Sequence, residues 1–154
     1  MTCAHDRFLP FMTTLEQILG ADRVVERFGH WPSFHDAEVV RLSFDRRGDN
    51  GPTAEMLVHA WLMTDKVNDR GYYVLEKHTL VRFVFERVMC CEIADFNEQN
   101  VLFGLQITNE TVDGDPGFRV TLDSSYGLAG SLVCGRVVIA DVTPCVERGE
   151  PTPP

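Results

Sequence analysis

The sequence predicts a mainly β protein of the α+β class: one N-terminal helix packed on a curved antiparallel sheet or sandwich of six to seven strands. Three observations carry this. Apolar residues recur at helical spacing only once, over residues 14–28, whereas period-two alternation returns repeatedly over residues 39–142. Short turn-forming runs separate the alternating stretches. No second long helix is available for the crossovers that parallel strands need, so the strands pair mostly antiparallel.

The elements follow in order. Residues 1–12 read as an arm packed by Phe8, Leu9, Phe11 and Met12. Thr13 or Thr14, with Glu16 or Gln17 three residues on, can form a capping box that starts the helix. Leu15, Ile18, Leu19, Val25 and Phe28 fall on or near one stripe, and Gly29 is a suitable stop. Gly20 weakens the middle, so two shorter helices are the alternative.

From residue 39 the period becomes two. Val40, Leu42 and Phe44 alternate with Val39, Arg41 and Ser43, giving a strand with one buried face. Residues 45–53, with Asn-Gly and Gly-Pro, form a turn. Met56, Val58, Ala60 and Leu62 alternate with Leu57, His59, Trp61 and Met63, so that strand is apolar on both faces and central. Residues 72–75 supply a further short strand, and residues 78–88 another built on Val81, Phe83 and Phe85. After the polar break at residues 94–100, Val101, Phe103, Leu105 and Ile107 share one face. A turn at residues 111–117 precedes Phe118, Val120 and Leu122, and the last strand spans residues 131–142, with Gly135 marking a bulge. Residues 1–142 therefore read as one globular domain, and residues 143–154, with four prolines, as a loosely ordered tail.

Composition narrows the function classes. The net charge of −9, from 23 acidic and 14 basic residues, would repel a phosphate backbone and disfavours nucleic-acid binding. The same field would attract a basic partner, although solubility alone is the commoner reason for it. No run of about 18 apolar residues is present, which excludes a membrane-spanning helix. The first twelve residues lack the basic start and apolar core of a signal peptide, so the expected compartment is the cytoplasm. Five cysteines (Cys3, Cys90, Cys91, Cys134 and Cys145) without metal spacing then read as reduced thiols, with one of Cys90 and Cys91 buried.

Glycine-rich phosphate loops, HExxH, GxSxG and EF-hand loops are all missing. Polar chemistry instead concentrates in Trp31-Pro32-Ser33-Phe34-His35-Asp36-Ala37-Glu38-Val39. Adjacent side chains in an extended chain point apart, so His35 and Asp36 form no dyad without a turn. The favoured role is structural: Asp36 caps a turn, and His35 donates to a main-chain carbonyl. His30, His59 and His78 lie on different elements with no metal spacing. Asp95-Phe96-Asn97-Glu98-Gln99-Asn100 lacks the pattern of a calcium loop and reads as a tight connection. Trp31, Phe34, Trp61, Tyr72, Tyr73 and Tyr126 are candidate interface anchors, although core packing is their commoner role.

The run from Phe28 to Val39, including Trp31, Pro32, Phe34, His35 and Asp36, resembles the signature of the immunity protein 50 family. Phe85-Glu86-Arg87-Val88 and the run from Asp95 to Leu105, including Asn97 and Asn100, are similar to the second half of that family. The resemblance covers most of residues 14–142. It implies an immunity protein from a bacterial polymorphic toxin system: a cytoplasmic binder of a cognate toxin, with no catalytic residues, cofactor or metal of its own. The acidic balance fits a basic toxin. The motif residues then serve as structure or interface. The alternatives are a small enzyme or ligand-binding β-domain using His35 and Asp36 with Asn97 or Asn100, and a β-domain that pairs copies through a sheet edge.

Overall fold

In a computed structural model that describes residues 15–150 and 152, the helical region divides at Gly20. A 3-10 turn spans Leu15–Gln17 and α1 spans Ala21–Phe28, with Gly20 at φ 79° between them. The alternative of two shorter pieces is therefore the one realised, because a left-handed residue cannot continue a helix. A Cβ at Gly20 would fall 2.6 Å from the Ile139 carbonyl oxygen, so only glycine fits this turn. Gly29, at φ 84°, stops α1 by donating its N–H to the Val25 carbonyl. The break also moves the stripe: Ile18, Ala21, Val24 and Phe28 are buried, whereas Leu15 and Leu19 are exposed. The expected arm and the Thr13 or Thr14 cap lie outside the described residues.

Six strands follow: β1 Glu38–Asp45, β2 Thr53–Val67, β3 Tyr73–Ala94, β4 Val101–Val112, β5 Asp115–Tyr126 and β6 Ala129–Pro144. They pair antiparallel and close into a barrel in the order β1-β2-β3-β6-β5-β4. The mainly β expectation holds, and the curved sheet is curved enough to close. The separate strand expected at residues 72–75 is the start of β3, which accounts for six strands rather than seven. Asp113 and Gly114, at φ 52° and 84°, join β4 to β5 in a two-residue turn whose twist matches the strands.

Bulges decide which side chains enter the core. The register shifts between Val39 and Arg41, so Val39 points inward while Val40 and Phe44 are exposed. A second shift, between Leu102 and Gly104, buries Leu102 and turns Phe103 outward, reversing the face expected for Phe103. The bulge expected at Gly135 is absent. Shifts on that ladder fall between Arg82 and Phe83 and between Val88 and Cys90. Gly135 instead leaves room for the Arg87 guanidinium, whose Nε would lie 2.5 Å from an added Cβ.

The barrel is filled by Met56, Val58, Val81, Phe83, Phe85, Val120, Leu132 and Ile139, with Val24 and Phe28 of α1 packed onto them. Leu19 exchanges backbone hydrogen bonds with Val137 and Ile139 in a short parallel bridge, which holds the helical segment against β6. Arg27 adds a second tie, from its Nε to Thr79 Oγ1 at 2.9 Å on β3.

Candidate functional site: the seam of the barrel

β1 and β4 share only one register pair, Glu38 with Val101. The residues before β1 and at its start complete the closure with their backbone. Val39 donates to the Asn100 carbonyl (2.9 Å), Leu102 to Ala37 (2.8 Å), Asp36 to Leu102 (2.9 Å) and Leu105 to Ser33 (3.3 Å). The family-like runs from Phe28 to Val39 and from Asp95 to Leu105 therefore meet at one place, while Phe85–Val88 lies on β3 against β6. The first two form the two sides of the seam.

Two residues in left-handed conformation make this possible, Phe34 at φ 59° and Asp36 at φ 64°. Aspartate tolerates that region; for a phenylalanine it costs roughly 1–3 kcal/mol. Burial offsets the cost. The Phe34 ring is buried and meets Trp31 and Phe83 edge to face, both at 5.6 Å between centroids. Trp31 also packs on Phe83 at 6.4 Å, and Pro32 is half-buried beside it. Of the aromatics considered as anchors, Phe34 is core, Trp31 and Trp61 are half-buried, and Tyr72, Tyr73 and Tyr126 are exposed.

The turn brings His35 and Asp36 together after all: Nδ1 and Oδ2 lie 3.0 Å apart, with the side chains 52% and 40% exposed. An extended chain would have separated them, and Asp36 is not extended. The main-chain roles expected for the two side chains are replaced by this pairing. His35 also rests its ring against Phe103 at 5.2 Å, and its backbone N–H donates to Ser33 Oγ at 3.3 Å. A cleft of about 220 Å³ opens beside the pair, lined by His30, Pro32, His35, Asp36, Trp61 and Met63 among others. That is small for an enclosed ligand site, where about 300–1,000 Å³ is usual. A His–carboxylate pair can move a proton, but the Ser33 hydroxyl is occupied by a backbone N–H and not by the imidazole ring.

Asn100, 3% exposed, organises the other side of the seam. Its Oδ1 accepts from the N–H groups of Asn97 (2.9 Å) and Leu128 (3.1 Å), while Nδ2 donates to the Asn97 carbonyl (2.7 Å). Asn97 donates from Nδ2 to the Asp95 carbonyl (2.9 Å) and accepts from the Gln99 N–H (3.1 Å). These amides hold the connection between β3 and β4 against the Tyr126-Gly127-Leu128 turn. They do not reach the His35–Asp36 pair in any of these bonds.

Other polar groups cluster elsewhere. His59 Nε2 and His78 Nδ1 lie 3.0 Å apart, and Trp61 packs edge-on against His59. Burial, aided by the neighbouring His78, pushes the His59 pKa down from the ordinary 6.5. Among the described residues, no group of three or more His, Cys, Asp or Glu is arranged to hold a metal ion. Cys90 is disulfide-bonded, whereas Cys91, Cys134 and Cys145 are free, so the expectation of reduced thiols fails at Cys90. Cys91 is exposed and Cys90 half-buried, so neither of this pair is the buried one; Cys134 is, and burial pushes its thiol up to about 12.

Phe96 and Phe103 are the residues that sequence reasoning passed over. They are 51% and 61% exposed at the seam end of the barrel. Gly104 within β4 was the available signal for Phe103, since a glycine inside a strand often accompanies a bulge. No helix among the described residues is long and apolar enough to cross a membrane. No curated protein and no solved structure matches the chain. The model of the family described as Immunity protein 50 matches residues 20–145, a span that holds both sides of the seam, and the chain belongs to that family.

Proposed function

We propose that the chain neutralises a bacterial toxin by binding its toxin domain and blocking its active site or substrate access, without chemistry of its own. Family membership over residues 20–145 is the observation that carries this reading. The net charge of −9 supports a basic partner, through faster encounter and complementary contacts. Exposed aromatics at the seam supply rigid anchors of the kind that dominate interface energetics. Resemblance to the family implies a toxin encoded by an adjoining gene, and co-expression with that toxin domain tests the proposal. Growth is expected to be restored and a complex to elute on a sizing column. A toxin that stays lethal, with no complex, refutes it.

We place the encounter in the cytoplasm. The disulfide at Cys90 stands against that compartment, because cytosolic thiols are kept reduced. Alkylation in intact cells, followed by denaturation with and without reductant and a second label, decides: a Cys90 that takes label only after reduction moves the protein to an oxidising compartment.

The 3.0 Å His35–Asp36 pair at the cleft supports a second reading, a small enzyme or ligand-binding domain. Under that reading His35→Ala abolishes protection while the complex with the toxin domain still forms. Under the binding reading, protection is lost only where the complex is lost.

A further inference from the structure

Among the exposed large apolar side chains, two groups hold more than one aromatic ring, and their charges differ. The arm formed by the far ends of β2 and β3 exposes Met63, Val67, Tyr72 and Tyr73. Over residues 63–77 it carries three acidic and three basic residues, so its field is balanced. The seam end exposes Phe96, Phe103 and Tyr126. The stretches that carry these rings, residues 92–104 and 121–130, hold four Asp and Glu residues and no Lys or Arg.

The geometry gathers the rings and the charges onto the same end. Tyr126 lies opposite Val101, and Asp123 opposite Gly104, the residue after Phe103. Gly127 sits so close to the loop carrying Phe96 and Glu98 that an added Cβ would lie 2.3 Å from the Gln99 carbonyl oxygen. The Asn100 side chain ties that loop to Leu128, so the rings stand on a fixed support. Asp95 and Glu98 are exposed, and none of Asp95, Glu98 and Asp123 has a Lys or Arg within ion-pair distance among the described residues.

From this juxtaposition we infer that the seam end, through Phe96, Phe103 and Tyr126 with Asp95, Glu98 and Asp123, is the docking surface for a protein partner that presents a lysine- or arginine-rich face. Aromatic faces attract cations as well as apolar groups, so one basic surface satisfies both sets of residues. The carboxylates steer the encounter and the rings hold the complex. The inference rests on the neutralising reading above and adds to it where the partner sits.

The experiment measures association and dissociation of the toxin domain encoded by the adjoining gene, at two salt concentrations. The wild type is compared with Asp95→Asn/Glu98→Gln/Asp123→Asn, with Phe96→Ala/Tyr126→Ala, and with Tyr72→Ala/Tyr73→Ala on the arm. Asparagine suits position 95 because it tolerates the φ of 62° found there. Thermal melts confirm that each variant is folded. The charge variant is expected to associate about tenfold more slowly at low salt and to lose most of its salt dependence. The aromatic variant is expected to dissociate about thirtyfold faster, and the arm variant to match the wild type. Normal binding by both seam variants, or losses confined to the arm variant, overturns the surface while leaving the neutralising reading intact. A wild type that binds nothing overturns both. Self-association of the chain that the seam variants abolish would assign the surface to a second copy and overturn the inference.

Discussion

The ladder between β3 and β6 and the seam between β1 and β4 close opposite parts of one barrel by different means. The ladder runs from Thr79 opposite Pro144 to Ala94 opposite Ala129 and relies on repeated alternation. The seam has one register pair and relies on two left-handed residues, a buried ring and one amide side chain. A long ladder spreads its stability over many weakly specific positions. A short seam concentrates it in a few residues whose chemistry is not interchangeable. The seam is also where exposed polar and aromatic groups collect, as expected of a surface set by loops on a rigid scaffold.

Phe83 tests whether the two regions share one core. It lies opposite Ile139 in the ladder, and its ring meets Trp31 and Phe34 of the seam. Phe83→Ala is expected to cost about 3–5 kcal/mol in denaturant unfolding. Unfolding in two steps would show that the regions are separate units.

Asn100→Ala acts on the seam alone. It strips the partners from the Leu128 and Asn97 N–H groups, and an unsatisfied buried donor costs roughly 1–3 kcal/mol. Amide exchange is expected to quicken at residues 36–39 and 100–105 before it changes in the β3–β6 ladder. Uniform quickening would dissolve the contrast.

His59 lies on β2, one strand over from the seam, opposite Glu38. Its native pKa is depressed, mainly by burial, so the unfolded chain binds a proton at a pH where the folded chain does not. Its contribution to stability is full above about pH 6.5, is lost as pH falls below that value, and levels off once the native ring protonates. The melting temperature is expected to drop across that window, and His59→Gln to flatten the drop.

The smallest effect belongs to the most conspicuous pair. His35 and Asp36 are 52% and 40% exposed, so His35→Ala is expected to change stability by less than about 1 kcal/mol. A larger loss in denaturant unfolding would make the pair part of what closes the seam.

Much of the ladder was legible in the sequence. Val81, Phe83 and Phe85 alternate inward as their spacing predicts, and the Asp113-Gly114 turn sits where its residues require φ above zero. The seam was legible only as a place. Trp31, Phe34, Asn97 and Asn100 were singled out, but their roles depend on partners distant in sequence: Phe83 for the rings and Leu128 for the amide. The outward turn of Phe103 was missed because one inserted residue reverses a period of two without changing composition.

The sequence by itself determined the class of fold, the two segments that identify the family and the acidic balance, because these depend on local periodicity, residue order and charge. The tertiary structure decided that the sheet closes, that His35 meets Asp36, and that Phe96, Phe103 and Tyr126 share one acidic end. Each of these depends on bulges and left-handed residues whose cost is offset only when distant strands pack against them.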